Sequence, residues 1–152
     1  MSHAMWLKTL FDPEDLTSVC NNIANEINHD KLLMSIDAIA ITGISGAVLG
    51  GAISFLTGIP LIVIRKDDKT HSGYDVEYSD ELNRLNTLHY IIIDDLIATG
   101  ATIQKIQEKI NKRIGVNELV KIYLYHDSAS KASFTMENLD INCPIFAIGD
   151  QE

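Results

Sequence analysis

The chain has 152 residues, enough for one domain with a single substantial core, and its 46% hydrophobic and 22% charged content is that of an ordinary globular protein. Twelve basic against 21 acidic residues give a net charge of -9, which excludes a broad nucleic-acid surface because neutralising phosphates needs basic residues. No apolar run approaches the ~20 residues of a membrane span and no secretory pattern opens the chain, so a cytoplasmic protein is expected.

Residues 1–4, Met-Ser-His-Ala, read as an expression scar, which leaves 5–152 as a single domain. Asp12-Pro13-Glu14-Asp15 then supplies a capping acid, a proline for the first helical position and acids for the first turn. Leu16, Val19, Cys20, Ile23, Ala24 and Ile27 follow at three- and four-residue spacing, which predicts an amphipathic helix over 12–28. Residues 36–42 predict a strand ending at Gly43, and 46–57 a buried helix packed closely at Gly50 and Gly51 and stopped by Gly58. A second strand is expected at 61–64 and a polar, mobile stretch from Arg65 to about Asn86. Residues 89–93 predict a third strand, and Ile103, Ile106, Ile110 and Ile114 a helix closed by Gly115. Strands at 120–125 and 143–148 complete the pattern. Cys20 and Cys143 sit in apolar contexts without paired spacing and read as buried, reduced thiols.

Nearly all-apolar strands alternating with helices imply an α/β fold, a twisted and mainly parallel sheet covered on both faces. In such sheets ligands bind at the carboxyl ends of the strands. Three unusual loops leave from that end, at 43–46, 65–78 and 94–102.

The last of these follows the run Tyr90-Ile-Ile-Ile, where Asp94 and Asp95 stand side by side and are expected to be exposed at the strand end. Two adjacent acids can accept hydrogen bonds from vicinal hydroxyls such as those of ribose. Ala98-Thr99-Gly100-Ala101-Thr102 then leads into a helix N-terminus, where small residues, free N–H groups and two threonine hydroxyls suit a phosphate. Thr42-Gly43-Ile44-Ser45-Gly46 could serve a dinucleotide, but it has G-x-x-G rather than G-x-G-x-x-G. The second strand moreover ends in Arg65-Lys66, where a dinucleotide site wants an acid, and two cations suit a diphosphate better.

IDDLIATGAT resembles the phosphoribosyl-diphosphate (PRPP) signature of the type I phosphoribosyltransferases, in its adenine phosphoribosyltransferase form. Arg65-Lys66 with Lys69 and His71 is similar to the mobile catalytic loop of orotate phosphoribosyltransferases, and Tyr74-Asp75-Val76-Glu77-Tyr78 to the adenine-enzyme segment that supplies a glutamate near the purine. The resemblance runs from about Ile39 to Tyr125, continues weakly at the C-terminus and stops short of the N-terminal hood, so it implies the type I phosphoribosyltransferase fold with a reduced hood.

That resemblance implies transfer of the 5-phosphoribosyl group from PRPP to a nitrogenous base, adenine first among them, with Mg²⁺ required and pyrophosphate released. Asp94 and Asp95 would take the ribose hydroxyls, directly or through magnesium, and Ala98 to Thr102 the 5′-phosphate. The amides of Ile44, Ser45 and Gly46, with Arg65 and Lys66, would hold the diphosphate. Lys69, His71 and Glu77, together with Asp95, would carry catalysis on a loop that closes. Tyr125, His126 and Asp127, at the end of the fourth strand, would meet the base or merely cap the next turn. A homodimer is expected, with no nucleic-acid or membrane partner. The rival from another class is a regulator that keeps the fold and senses PRPP or a nucleotide without turnover.

Overall fold

The computed structural model describes residue 8 and residues 10–65, 75–95, 100–125 and 143–148. Helix α1 (Pro13–Asp30) starts at the expected cap: Asp12 Oδ1 accepts hydrogen bonds from the N–H groups of Glu14 (3.0 Å) and Asp15 (3.2 Å). Val19, Cys20, Ile23, Ala24 and Ile27 form its buried face.

Strands β1 (Ala38–Thr42), β2 (Leu61–Ile64), β3 (Val76–Tyr78), β4 (Leu88–Asp94), β5 (Asn117–Leu124) and β6 (Ile145–Ala147) build one sheet in the order β3-β2-β1-β4-β5-β6. Every neighbouring pair is parallel except β2 and β3. The chain thus winds outward from β1 in one direction and from β4 in the other. A crevice between β1 and β4 at their carboxyl ends follows from that reversal, and ligands of open α/β sheets sit in such crevices.

Side chains alternate across the sheet. Ala38, Ala40, Ile62, Ile92, Ile122 and Leu124 pack under helix α3 (Ala101–Arg113), whose Ile103, Ile106 and Ile110 are buried there. On the opposite face Ile39, Ile41, Ile91, Ile93 and Tyr123 pack under α1 and helix α2 (Gly43–Thr57). Cys20 and Cys143 are both free and buried, as expected from their contexts. No helix among the described residues is long and apolar enough to cross a membrane.

Three expectations need correcting. The stretch beyond Arg65 is not all irregular: Val76–Tyr78 forms the antiparallel edge strand and Asp80–Arg84 a 3-10 turn. Polar side chains hid this strand because one of its edges and part of each face remain half-exposed, so it lacks an apolar run. The segment 43–46 is no separate loop but the first turn of α2, which begins at Gly43 with φ of 70°. Finally, the close packing belongs to Gly50 and not to Gly51. A Cβ on Gly50 would lie 2.5 Å from Ile41 Cγ2, whereas one on Gly51 would meet nothing within 4 Å.

The two glycines should therefore respond oppositely to alanine. Ile41 is only 2% exposed and branched at Cβ, so its methyl cannot swing away. Gly50→Ala should cost about 1–2 kcal/mol net, overpacking outweighing the gain in helix propensity, while Gly51→Ala should add roughly 0.5–1 kcal/mol. Chemical denaturation of the two variants checks the sign of each change.

Candidate active site

The carboxyl ends of β1 and β4 lie side by side at the crevice. β4 runs straight into Asp94 and Asp95, and their surroundings are drier than a strand end suggests: Asp94 is 9% exposed and Asp95 1%. The expectation of exposed acids fails because α2 closes over them. Gly46 lets it do so, since a Cβ there would already lie 3.3 Å from Ile41 Cβ and 3.6 Å from Ile93 O.

Asp94 Oδ1 accepts from the Ser45 hydroxyl at 3.2 Å and from the Asp95 N–H at 2.9 Å. Burial, and then the Asp95 carboxyl beside it, push the Asp94 carboxyl up to about 7. Two like charges in a dry crevice are unfavourable by themselves. They become favourable when a cation or a pair of hydroxyl donors arrives.

The helix ends on either side differ from α1 in a telling way. α1 closes its own N-terminus with Asp12, Glu14 and Asp15. α2 and α3 have no side-chain cap and no acid in the first turn. Thr42, at the cap position of α2, donates its hydroxyl instead to Ile64 O at 2.8 Å, across to β2. Gly100, at the cap of α3, has φ of 79° and no side chain to offer. The N–H groups of each first turn, Ile44, Ser45 and Gly46 in α2 among them, have no carbonyl within their own helix. The first turn of α2, uncapped beside two buried acids, has the chemistry to receive an anion next to a hydroxylated group.

Arg65 lies just past β2, whose last residue, Ile64, accepts the Thr42 hydroxyl at the cap of α2. Arg65 is already engaged: Nη2 donates to both carboxylate oxygens of Glu77, at 3.1 and 3.0 Å. The antiparallel β2–β3 pairing, extended by a hydrogen bond from Arg65 N–H to Asp75 O at 2.9 Å, brings these two expected site residues together. The pair is half-exposed, so its net attraction is small. Glu77 also lines a cavity of about 420 Å³ with Val76, Tyr78, Asp80 and Arg113.

Ala101 and Thr102 form the first turn of α3, next to Gly100. Tyr125 joins the site through its backbone, donating N–H to Asp94 O at 3.1 Å, while its side chain packs partly buried on the core beneath α1 and α2. Lys66, Lys69, His71, Ala98, Thr99, His126 and Asp127 lie outside the described residues, as does most of the expected closing loop.

Two polar groupings escaped the sequence reading. His89 bonds Asp37 through its backbone N–H at 2.8 Å, with Nδ1 3.3 Å from the same oxygen, at the amino end of β4. Lys121 reaches from β5 to α1, donating to Asp30 at 2.6 Å and Glu26 at 3.3 Å, and the Tyr123 hydroxyl donates to Asp30 at 2.5 Å. The alternation Leu119, Lys121, Tyr123 hinted that these side chains share a face. A register shift beside Tyr90 and Ile91 places Lys121 under α1 while Leu119 stays with the α3 core.

The fold is that of the type I phosphoribosyltransferases. It superposes with a TM-score of 0.67 on an orotate phosphoribosyltransferase from Francisella tularensis, at 20% identity over 91% of this chain and 67% of that one. An adenine phosphoribosyltransferase from Trypanosoma brucei, in complex with AMP, pyrophosphate and ribose-5-phosphate, matches with a TM-score of 0.60, at 17% identity over 90% of this chain and 65% of that one. No family model matches the chain.

In sequence it is 29% identical over 144 residues to an orotate phosphoribosyltransferase of Methanosphaera stadtmanae, covering 94% of this chain and 76% of the relative. An adenine phosphoribosyltransferase of Prochlorococcus marinus is 28% identical, with 80% and 79% covered. A hypoxanthine/guanine phosphoribosyltransferase of Methanocorpusculum labreanum is 34% identical, with 59% and 52% covered, so the chain spans about half the length of that relative. Sequence and fold comparisons both bear out the resemblance to the type I phosphoribosyltransferases carried by the loop motifs, and these relatives are enzymes.

Proposed function

We propose that the chain transfers the 5-phosphoribosyl group of PRPP to a nitrogenous base and releases pyrophosphate. The observation that carries this reading is the pair of buried acids, Asp94 and Asp95, at the end of β4 beside the uncapped first turn of α2. PRPP has a diphosphate and a 5′-phosphate either side of two ribose hydroxyls. The first turn of α2 and Arg65 take the diphosphate, Asp94 and Asp95 the hydroxyls, and the start of α3 the 5′-phosphate.

Magnesium fits the donor set. Among the described residues no group of three or more His, Cys, Asp or Glu forms a protein cage for a metal. A cation held by one or two carboxylates, substrate oxygens and water is how magnesium commonly binds. Its chemistry here is to offset charge on the diphosphate. Asp94 and Asp95 orient the sugar, and the helix N-termini hold its two anionic ends. Arg65 remains beside the diphosphate as it departs, and the neighbouring Glu77 carboxylate is the group assigned to manage a proton on the base. Lys69 and His71 join from the loop that follows Arg65.

Relatives with three base preferences support the general reaction and leave the acceptor to be chosen; adenine is our first assignment, on the Asp75-Val76-Glu77-Tyr78 segment. A cytoplasmic homodimer is part of the same reading.

Incubation with PRPP, Mg²⁺ and each common base should release pyrophosphate with adenine, and excess EDTA should abolish turnover. Turnover that persists in EDTA counts against the mechanism. PRPP binding without pyrophosphate release from any base would make the chain a sensor instead of a transferase.

A further inference from the structure

Ser45 is placed among the diphosphate ligands for its backbone N–H, but its side chain has a different partner. Oγ lies 3.2 Å from Asp94 Oδ1, and the two residues are 8% and 9% exposed, so water does not compete for the bond. The Asp95 N–H donates to the same oxygen at 2.9 Å. Oδ1 is thus held from two sides, by the first turn of α2 and by the end of β4. Oδ2 is the oxygen that neither donor takes, and the Asp95 carboxyl stands beside the same group.

A carboxylate held this way cannot turn about its Cβ–Cγ bond without losing both donors. We infer that Ser45 is a positioning residue whose hydroxyl fixes the Asp94 carboxylate so that Oδ2 is the oxygen offered to the ribose hydroxyls or their magnesium. The inference rests on the phosphoribosyltransferase reading and adds to it the atom that binds. It also gives α2 two tasks at one residue, an amide for the diphosphate and a hydroxyl for the acid that meets the sugar. The first turn of α2 therefore sets the distance between two parts of one substrate.

The test is calorimetric titration of PRPP with Mg²⁺ into wild type, Ser45→Ala and Ser45→Thr, with KM measured for PRPP and for the base. Ser45→Ala should weaken PRPP binding about tenfold, the scale of a lost hydrogen bond to a charged group. Its KM for the base should stay within about twofold, because the phosphoribosyltransferase reading sets Asp94 at the ribose and not at the base. Ser45→Thr, which keeps the hydroxyl, should bind PRPP within about threefold of wild type, against the tenfold loss in alanine. Wild-type affinity in Ser45→Ala, or an equal loss in both variants at unchanged thermal midpoint, overturns the inference. If the threonine methyl lowers the midpoint, the alanine variant decides alone: an equal rise in both KM values overturns the positioning role, and a rise for PRPP only upholds it. Failure of the wild type to bind PRPP overturns the phosphoribosyltransferase reading itself, and the inference with it.

Discussion

Replacing Asp94 and Asp95 together by asparagine should abolish measurable PRPP binding and, at pH 8, raise the melting temperature of the ligand-free protein. The loss of affinity follows from removing two charged acceptors, together about a hundredfold or more. The gain in stability follows from the Asp94 carboxyl, which the folded chain holds at about 7 against the ordinary 3.8. As pH rises past 4 the unfolded chain loses this proton while the folded chain keeps it, so stability falls until the folded group ionises near 7. At about 1.4 kcal/mol per pH unit, the wild type carries a penalty of up to about 4 kcal/mol at pH 8 that the asparagine variant lacks. The amide oxygen of the asparagine that replaces Asp94 would still accept from Ser45 and from the next backbone N–H. Melting curves at pH 4 and pH 8 should converge at the lower value and separate at the higher. Equal separation at both, or none, would show that the acids are not a strained pair.

Lys121→Met should be the most damaging single change away from the site. The Asp30 carboxylate is 5% exposed; burial works to raise it, but hydrogen bonds from Lys121 and Tyr123 outweigh this and leave it below the ordinary carboxylate value. A depressed carboxyl stabilises above its unfolded pKa and loses that contribution as pH falls through its folded pKa. Without Lys121 the charge is buried with the Tyr123 hydroxyl and the distant His29, at a cost of about 3–5 kcal/mol at neutral pH. Urea denaturation at pH 7 measures this, and the cost should shrink in acid, where Asp30 is protonated in both states. Adding Asp30→Asn should recover part of the loss at pH 7. A cost below about 1 kcal/mol would mean that the ion pair is dispensable.

The strand order could not be read directly, but its ingredients could. β1, β2 and β4 are continuous apolar runs because both faces are covered, and such runs survive as a signal without any periodicity. Asp12, Pro13 and Gly58 marked helix ends for local reasons and did so within a residue or two. β3 was illegible because it is three residues long and half-exposed at a sheet edge. The first turn of α2 looked like loop because two glycines and a serine are poor helix formers; tertiary contact with Ile41 and Ile93 decides the matter. At the site, residue types were legible and burial was not. Asp94 and Asp95 stood out as a pair, yet only the packing of α2 over them showed that they are dry. Arg65 and Glu77 were each noticed, but their bond depends on an antiparallel pairing that no short-range pattern revealed.

That pairing bears on where the chain length can change at little cost. The hydrogen bond from Arg65 N–H to Asp75 O and the β2–β3 ladder fasten the two ends of the intervening nine residues to the rigid sheet. Loop-closure entropy grows only with the logarithm of length, so doubling such a stretch costs about 0.6 kcal/mol. Both anchors, Arg65 and Asp75, adjoin the sheet, so lengthening the chain between them should cost the scaffold little.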